Sequence, residues 1–181
     1  METVYSQKFK EIVSDSPGQA ARHNSRYVMP EHLLLSLLKD IESEPARLID
    51  RSARDTSASQ LRDTLDNALL TAAADGDFTG KVAVADVAVS DLASRIIKLS
   101  VLEARMLKSN MVDDVHLLLA IFHNSDAQNS DFMEAFRRAG VTYESLYRML
   151  NPQAGGTAPM ADRAYADDED EDDEDDDRPS A

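Results

Sequence analysis

Two histidines at matching positions are the first residues in this chain that suggest chemistry. His32 follows Glu31 directly, and His116 comes shortly after a pair of aspartates, Asp113 and Asp114. Imidazole and carboxylate groups one helical turn apart can bind a metal ion, but a stable site needs further ligands to converge. Each histidine also lies near a predicted helix start, where its ring can bond to loop backbone. We favour this structural role for both and predict no metal site.

Glu31 is the carboxylate with the most suggestive position. It follows Pro30 at the start of a predicted helix, where a negative charge interacts favourably with free amide groups and the helix dipole. The same carboxylate is suited to pairing with a guanidinium group on a partner. Capping and partner binding therefore both stay open for Glu31. Asp114, near the matching place in the second half, is the second candidate for partner binding.

The sequence lacks the motifs of the common catalytic sites. Without cysteine the chain has no thiol nucleophile, no thiolate metal site and no disulfide framework, which fits a reducing compartment. It contains no Gly-x-Ser-x-Gly elbow and no Gly-x-x-x-x-Gly-Lys-Ser/Thr phosphate loop. We therefore predict that the protein is not an enzyme and needs no cofactor.

The charge distribution divides the chain into a body and a tail. The net charge is −15, and residues 161–181 contribute −10 of it. The eleven consecutive carboxylates at 167–177 repel one another and have no apolar surface to bury, so we predict disorder there. The composition of residues 151–159 predicts a linker. The folded domain is thus expected over residues 1–151, with linker and tail at 152–181.

The acidic balance also restricts the class of partner. With 19 Lys+Arg against 34 Asp+Glu, direct binding to nucleic acid or to an anionic membrane is not expected. No apolar run reaches the roughly 18–20 residues of a membrane span, and the first residues do not resemble a secretory signal. We therefore expect a cytoplasmic protein. The tail itself is suited to a basic partner, or serves as a solubilising extension.

Apolar residues recur at helical spacing throughout residues 5–150, which predicts an all-α fold. Helix starts are predicted at Pro30, Pro45, Ser57 or Ser59, Ser90, Asp113 or Asp114, Ser130 and Thr142. Gly140 is typical of a helix C-cap. Residues 82–89 alternate weakly, but without a visible partner strand we interpret them as a linker. Ser16, Pro17 and Gly18 predict a kink or break in the first helix.

An internal repeat appears at a constant offset of 84 residues. Residues 31–37 align with 115–121, and residues 27–29 align with 111–113. Each half, about 5–74 and about 90–150, is then predicted to contain four helices in the order long, short, short and medium. The repeated motif contains the predicted core leucines Leu33, Leu34, Leu117 and Leu118. Because a half of this size is small for a core of its own, we expect two pseudo-symmetric four-helix repeats around one shared core, with a groove at the seam.

The repeated motif resembles that of a known family. Pro-Glu-His-Leu-Leu-Leu-Ser-Leu-Leu at 30–38, with its second copy His-Leu-Leu-Leu-Ala-Ile at 116–121, is similar to the duplicated N-terminal domain of Clp ATPases of the ClpA, ClpB and ClpC kind. The resemblance covers about residues 5–150. It implies an all-α domain of two four-helix repeats that recruits substrates or adaptors to a protein-unfolding machine.

The resemblance also implies a role for the acid before each histidine. In ClpC-type domains this acid helps to hold a phosphorylated arginine of a substrate. Glu31 keeps the acid, whereas Val115 loses it. One of two such sites is therefore expected to be absent, unless Asp114 substitutes from one residue away.

Two functional hypotheses follow from the sequence. Because no phosphate loop is present, we expect a stand-alone N-domain that binds a Clp-type unfoldase, its adaptor or its substrates, and acts as an adaptor, accessory or regulator. The alternative is an acidic chaperone-like or nucleic-acid-mimic protein whose function lies in the tail. Binding that survives deletion of residues 161–181 would favour the first hypothesis.

Overall fold

Side-chain oxygens determine where most of the helices begin. In the computed structural model, which describes residues 2–75 and 80–152, five hydroxyl groups each accept a hydrogen bond from the backbone N–H three residues later. These caps are Ser6, Ser43, Ser57, Ser90 and Thr142. The described helices are α1 Gln7–Arg22, α2 Pro30–Leu37, α3 Glu44–Ser52, α4 Ala58–Ala74, α5 Asp91–Met106, α6 Asp114–His123, α7 Ser125–Gln128, α8 Glu134–Arg138 and α9 Tyr143–Leu150. The predicted all-α class is confirmed.

Helix α1 passes through Pro17 as one helix, so the predicted break is wrong, whereas the alternative of a kink stays a prediction. Proline has no N–H, which removes the hydrogen bond that the Val13 carbonyl would accept in a regular helix. The Ser16 hydroxyl supplies a replacement, because its Oγ donates to the Val13 oxygen at 2.7 Å. Ser16 is only 1% exposed, so this contact satisfies a carbonyl that water cannot easily reach.

Two short strands, β1 Tyr27–Val28 and β2 Ala88–Val89, pair in parallel with Val28 beside Val89. Interpreting residues 82–89 as a linker is therefore wrong: the segment forms a 3₁₀ turn at Val84–Asp86 and then β2. Its partner strand lies between α1 and α2. A strand of two residues gives almost no pattern in the sequence, so neither partner was recognisable on its own.

A second bridge of the same kind pairs Tyr5 with Val112. The repeat offset relates the two pairings, since Tyr5 corresponds to Val89 and Val112 corresponds to Val28. The segment that precedes the first helix of each repeat therefore pairs with the other repeat. This reciprocal exchange joins the two halves at two equivalent places.

Backbone conformation repeats with the same spacing. Asn24 and Lys108, just after α1 and α5, both have positive φ angles, 55° and 58°. Asp55 and Gly140, with φ angles of 61° and 84°, become equivalent once the single inserted residue is counted. At Gly140 a Cβ would meet only the guanidinium of the exposed Arg54, which can move aside, so it is the backbone conformation that favours glycine there.

The core lies where α2 and α6 meet between the outer helices. Every residue of α2 and most of α6 is buried, and the four motif leucines, Leu33, Leu34, Leu117 and Leu118, are 0% exposed. Helix α1 covers α2, α5 covers α6, and α2 and α6 also touch each other. Among the described residues, no helix has the length and apolar character needed to cross a membrane.

The described part of the chain ends just after α9, at residue 152. The linker and acidic tail expected at 152–181 thus lie almost entirely outside the described residues. The domain boundary near residue 151 and the disorder of the tail stay predictions.

We expect Ser16→Ala to lower the free energy of unfolding by about 1–3 kcal/mol, because the Val13 carbonyl would lose its partner in buried surroundings. Ser100→Ala is the matched control. Ser100 is the equivalent residue of α5, and its hydroxyl also bonds the carbonyl three residues earlier. There, however, Val101 follows and supplies an ordinary helical N–H, so the loss should be smaller. Urea denaturation of the full chain measures both variants, and equal losses would contradict this account of Pro17.

Candidate functional site

Two clefts open at the seam between the repeats. The first, which we call the Glu31 cleft, has a volume of about 500 Å³ and is lined by parts of α2 and α4 from one repeat and by the start of α5 and the segment after α6 from the other. The second, the Asp114 cleft, has a volume of about 240 Å³ and lies between α1, the region from α2 to α3, and the start of α6. Each cleft therefore receives residues from both repeats.

The two clefts share some positions related by the repeat offset, but they differ in chemistry. Leu92 in the Glu31 cleft corresponds to Lys8 in the Asp114 cleft, and Ala127 corresponds to Ser43. The Glu31 cleft combines apolar side chains with one buried carboxylate, whereas the Asp114 cleft is lined by charges of both signs. A third depression of about 490 Å³ lies between α4 and α8, and all the charged residues in its lining are exposed.

Glu31 lies in the first turn of α2 and bonds across the seam. Its side chain is buried, and Ser130 Oγ donates to its Oε2 at 2.6 Å. Ser130 belongs to the other repeat, where it caps the 3₁₀ turn Asp131–Met133. The carboxylate thus occupies a position that the helix dipole favours, and it is held in a fixed orientation. Its other oxygen has no partner among the described residues.

His32 and His116 cap the helices in which they lie. Nδ1 of His32 accepts a hydrogen bond from the backbone N–H of Met29 at 2.9 Å, and Nδ1 of His116 accepts one from Asp113 at 2.8 Å. Because Nδ1 is the acceptor in each neutral ring, the proton lies on Nε2. Across residues 2–75 and 80–152, no three His, Asp or Glu side chains converge as metal ligands.

Burial keeps His32 neutral. It lowers the pKa of His32 to about 4, and the nearby charge of His23 adds to this effect. The two rings stack with centroids 5.5 Å apart, and Nε2 of His23 lies 2.8 Å from a carboxylate oxygen of Asp66. Glu31 supplies the buried carboxyl group in the wall of this cleft.

Asp114 is buried in the other cleft, with 3% of its surface exposed. Burial raises its pKa to about 6, and the charge of Asp113 adds to this effect. Asp114 is the first residue of α6 and so corresponds to Pro30, whereas Val115 stands at the Glu31 position. The second cleft thus contains an acid, but from a different position on its helix.

Sequence reasoning missed the side-chain contacts that join the helix starts across the seam. Ser130 was recognisable as a helix start, but its bond to Glu31 was not. Ser6 Oγ likewise donates to Asp113 Oδ1 at 2.7 Å and so links the caps of α1 and α6. These partners are 99 and 107 residues apart, so no local pattern indicates either pairing.

The fold and its clefts define a duplicated helical domain with binding surfaces between its halves. The sequence profile of the Clp repeat (R) N-terminal domain matches residues 4–136. The chain belongs to this family. Clp N-domains are protein-interaction modules of Clp chaperones, and they bind proteins such as adaptors and substrates of Clp ATPases.

Solved structures with a similar fold share little sequence with this chain. The N-terminal domain of the caseinolytic protease associated chaperone ClpD from Arabidopsis thaliana has a TM-score of 0.56 at 14% identity, covering 82% of this chain and 96% of that one. The Hsp104 N-terminal domain from Candida albicans has a TM-score of 0.60 at 13% identity, with 89% and 98% covered. A structure from a study of a malarial protein secretion system has a TM-score of 0.60 at 20% identity, with 82% and 93% covered. No curated protein sequence matches the chain.

We expect Asp114→Asn to stabilise the protein at neutral pH. The folded-state pKa of Asp114, about 6, lies above the ordinary value of 3.8, so its ionisation favours the unfolded chain. The gain should be about 1–3 kcal/mol at pH 7 and should disappear below about pH 3, where Asp114 is protonated in both states. Denaturant titrations at several pH values measure this difference.

The adjacent variant Asp113→Asn is the control, because it removes the same charge. Burial alone would raise the pKa of Asp113, but hydrogen bonds from Ser6 and the backbone N–H of Asp114 outweigh it and hold this pKa below its usual range. Asp113→Asn should therefore destabilise the protein at pH 7. A gain from Asp114→Asn that does not depend on pH would contradict the assignment.

Proposed function

We propose that this chain recruits a peptide or protein partner to a Clp-type unfoldase or protease system, as an adaptor, accessory or regulator. The observation that carries the proposal is the buried Glu31 carboxylate in a cleft of about 500 Å³ built by both repeats. The partner is the unfoldase itself, its adaptor or one of its substrates. In this role the protein acts in the cytoplasm, by binding alone, without a catalytic step or a cofactor.

The Glu31 cleft suits a long side chain with a cationic end. Apolar Leu69, Leu92 and Phe132 line the cleft and can contact a methylene stem, while the carboxylate pairs with the charged group. A guanidinium forms two directional hydrogen bonds with a carboxylate, whereas an ammonium acts as a point charge. Together with the resemblance to ClpC-type domains, this favours arginine or phosphorylated arginine as the group recognised.

The Ser130 contact prepares the site for binding. A carboxylate that is already oriented loses less conformational entropy when a ligand arrives. The same contact makes Glu31→Ala an ambiguous test, because that variant would remove a bond across the seam as well as a charge. Its cost in stability should exceed the about 0.3–1 kcal/mol expected for a helix-dipole interaction alone.

We therefore predict the effect of Glu31→Gln, which keeps an acceptor for the Ser130 hydroxyl and removes the charge. This variant should bind an arginine-containing peptide at least about tenfold more weakly than the parent, because a desolvated charge pair is lost. Fluorescence polarisation with short labelled peptides measures this. The peptides carry a central arginine, phosphoarginine or citrulline, and the uncharged citrulline peptide should bind weakly to both proteins.

Glu144→Gln is the matched control for this prediction. Glu144 is an exposed first-turn acid of α9 outside both clefts, so the variant loses the same charge without changing the site. It should bind like the parent. If Glu31→Gln also binds every peptide like the parent, Glu31 is only a helix-start residue and the cleft assignment fails.

Affinity capture from native lysate tests the recruitment role itself. The full chain should retain a Clp unfoldase, an adaptor or known substrates, and Glu31→Gln should retain less of them. If no Clp component is recovered with the parent, the recruitment role should be abandoned. Capture that is lost when residues 161–181 are deleted, but not in Glu31→Gln, would favour the alternative in which the acidic tail carries the function.

A further inference from the structure

Helix α5 presents a stripe of positive charge to solvent. Arg95, Lys98 and Arg105 are exposed and lie on one side of the helix, because spacings of three and seven residues return to nearly the same face. Lys108 follows directly after the helix and is also exposed. We call these four residues the α5 stripe.

The cations of the α5 stripe are not neutralised within the described part of the chain. None of the four forms an ion pair with another described residue. Asp91 lies four residues before Arg95, and Glu2 lines the same shallow cleft as Arg105, but neither is paired with a stripe residue. Like charges three residues apart on a helix destabilise it slightly, so helix stability alone does not explain the stripe.

The other repeat shows that the fold does not require these charges. The residues of repeat one that correspond to Arg95, Lys98, Arg105 and Lys108 are Glu11, Ser14, Ala21 and Asn24. Helix α1 has the same length as α5, and Asn24 adopts the same positive φ as Lys108. The stripe is therefore particular to repeat two, in a chain whose net charge is −15.

We propose that the α5 stripe is the docking surface for this chain's own acidic run, residues 167–177. The run contains eleven consecutive carboxylates and is the strongest anionic feature of the sequence, so it complements a stripe of unneutralised cations. This inference concerns a surface outside the Glu31 cleft and does not depend on the proposed function.

The length of the connecting chain permits this contact. Tyr143 Oη, at the start of α9, donates to Glu103 of α5 at 2.9 Å, so α9 begins against α5. Eight helical residues add about 12 Å before the connection starts. Residues 152–166 can span at most about 50 Å, with a typical end-to-end distance of about 20 Å. Helix α5 is about 24 Å long, so all four cations are within reach.

The proposed contact is electrostatic. Each exposed ion pair contributes little on its own. Tethering raises the local concentration of carboxylates to the millimolar range, so several weak pairs give substantial occupancy. Because exposed charges are screened over about 8 Å at physiological salt, the contact should weaken as salt is added.

Paramagnetic relaxation in the full-length chain tests this inference. The sequence contains no cysteine, so Ser180→Cys gives one attachment point for a nitroxide just beyond the acidic run. At low salt we expect loss of amide signal intensity concentrated on residues 95–108, with recovery at high salt. The quadruple variant Arg95→Gln, Lys98→Gln, Arg105→Gln and Lys108→Gln should abolish this loss.

A second quadruple variant controls for net charge. Lys10→Gln, Arg47→Gln, Arg51→Gln and Lys81→Gln remove four exposed cations from outside the stripe, and the loss on residues 95–108 should persist. The inference is overturned if the loss is absent or evenly spread, or if it survives in the stripe variant. It is also overturned if the loss appears only between spin-labelled and isotope-labelled copies in a mixed sample, because the tail would then dock on a second molecule.

Discussion

The burial of α2 and α6 is the constraint on which the rest of this domain depends. Both helices are short and apolar on most faces, and isolated helices of eight to ten residues are not stable in water. Each must be covered on all sides, which is difficult within one half of about 70 residues. The two halves therefore place α2 against α6, cover them with α1 and α5, and exchange the short segments that precede those covering helices.

The repeats are alike in backbone and different in their buried polar groups. Glu103 of α5 is fully buried, accepts a hydrogen bond from Tyr143 at 2.9 Å and contacts the ring of His123. At the equivalent place in α1 the side chain is the neutral Gln19. A buried charge needs specific partners, whereas a buried amide is more easily satisfied. Glu31 and Val115 differ in the opposite sense, with the acid in repeat one, so the same backbone arrangement produces two clefts with different chemistry.

The low sequence identity to the solved structures is compatible with a shared fold. Identities of 13–20% accompany TM-scores of 0.56–0.60, because a helical core requires apolar volume at the right period, and many side chains supply it. At helix starts, Ser, Thr, Asp and Asn can likewise replace one another as N-caps.

The sequence alone determined the helical class, most helix starts and the repeat, because periodicity and capping depend on residues close together in the chain. Ser57, Ser90 and Thr142 are recognisable for that reason. Local pattern wrongly allowed a break at Pro17, because the hydrogen bond from Ser16 to the Val13 carbonyl forms only in the folded helix. It also missed β2 and the contact of Glu31 with Ser130. Only the tertiary structure decided these, because their partners come together through the packing of two halves and leave no trace in neighbouring residues.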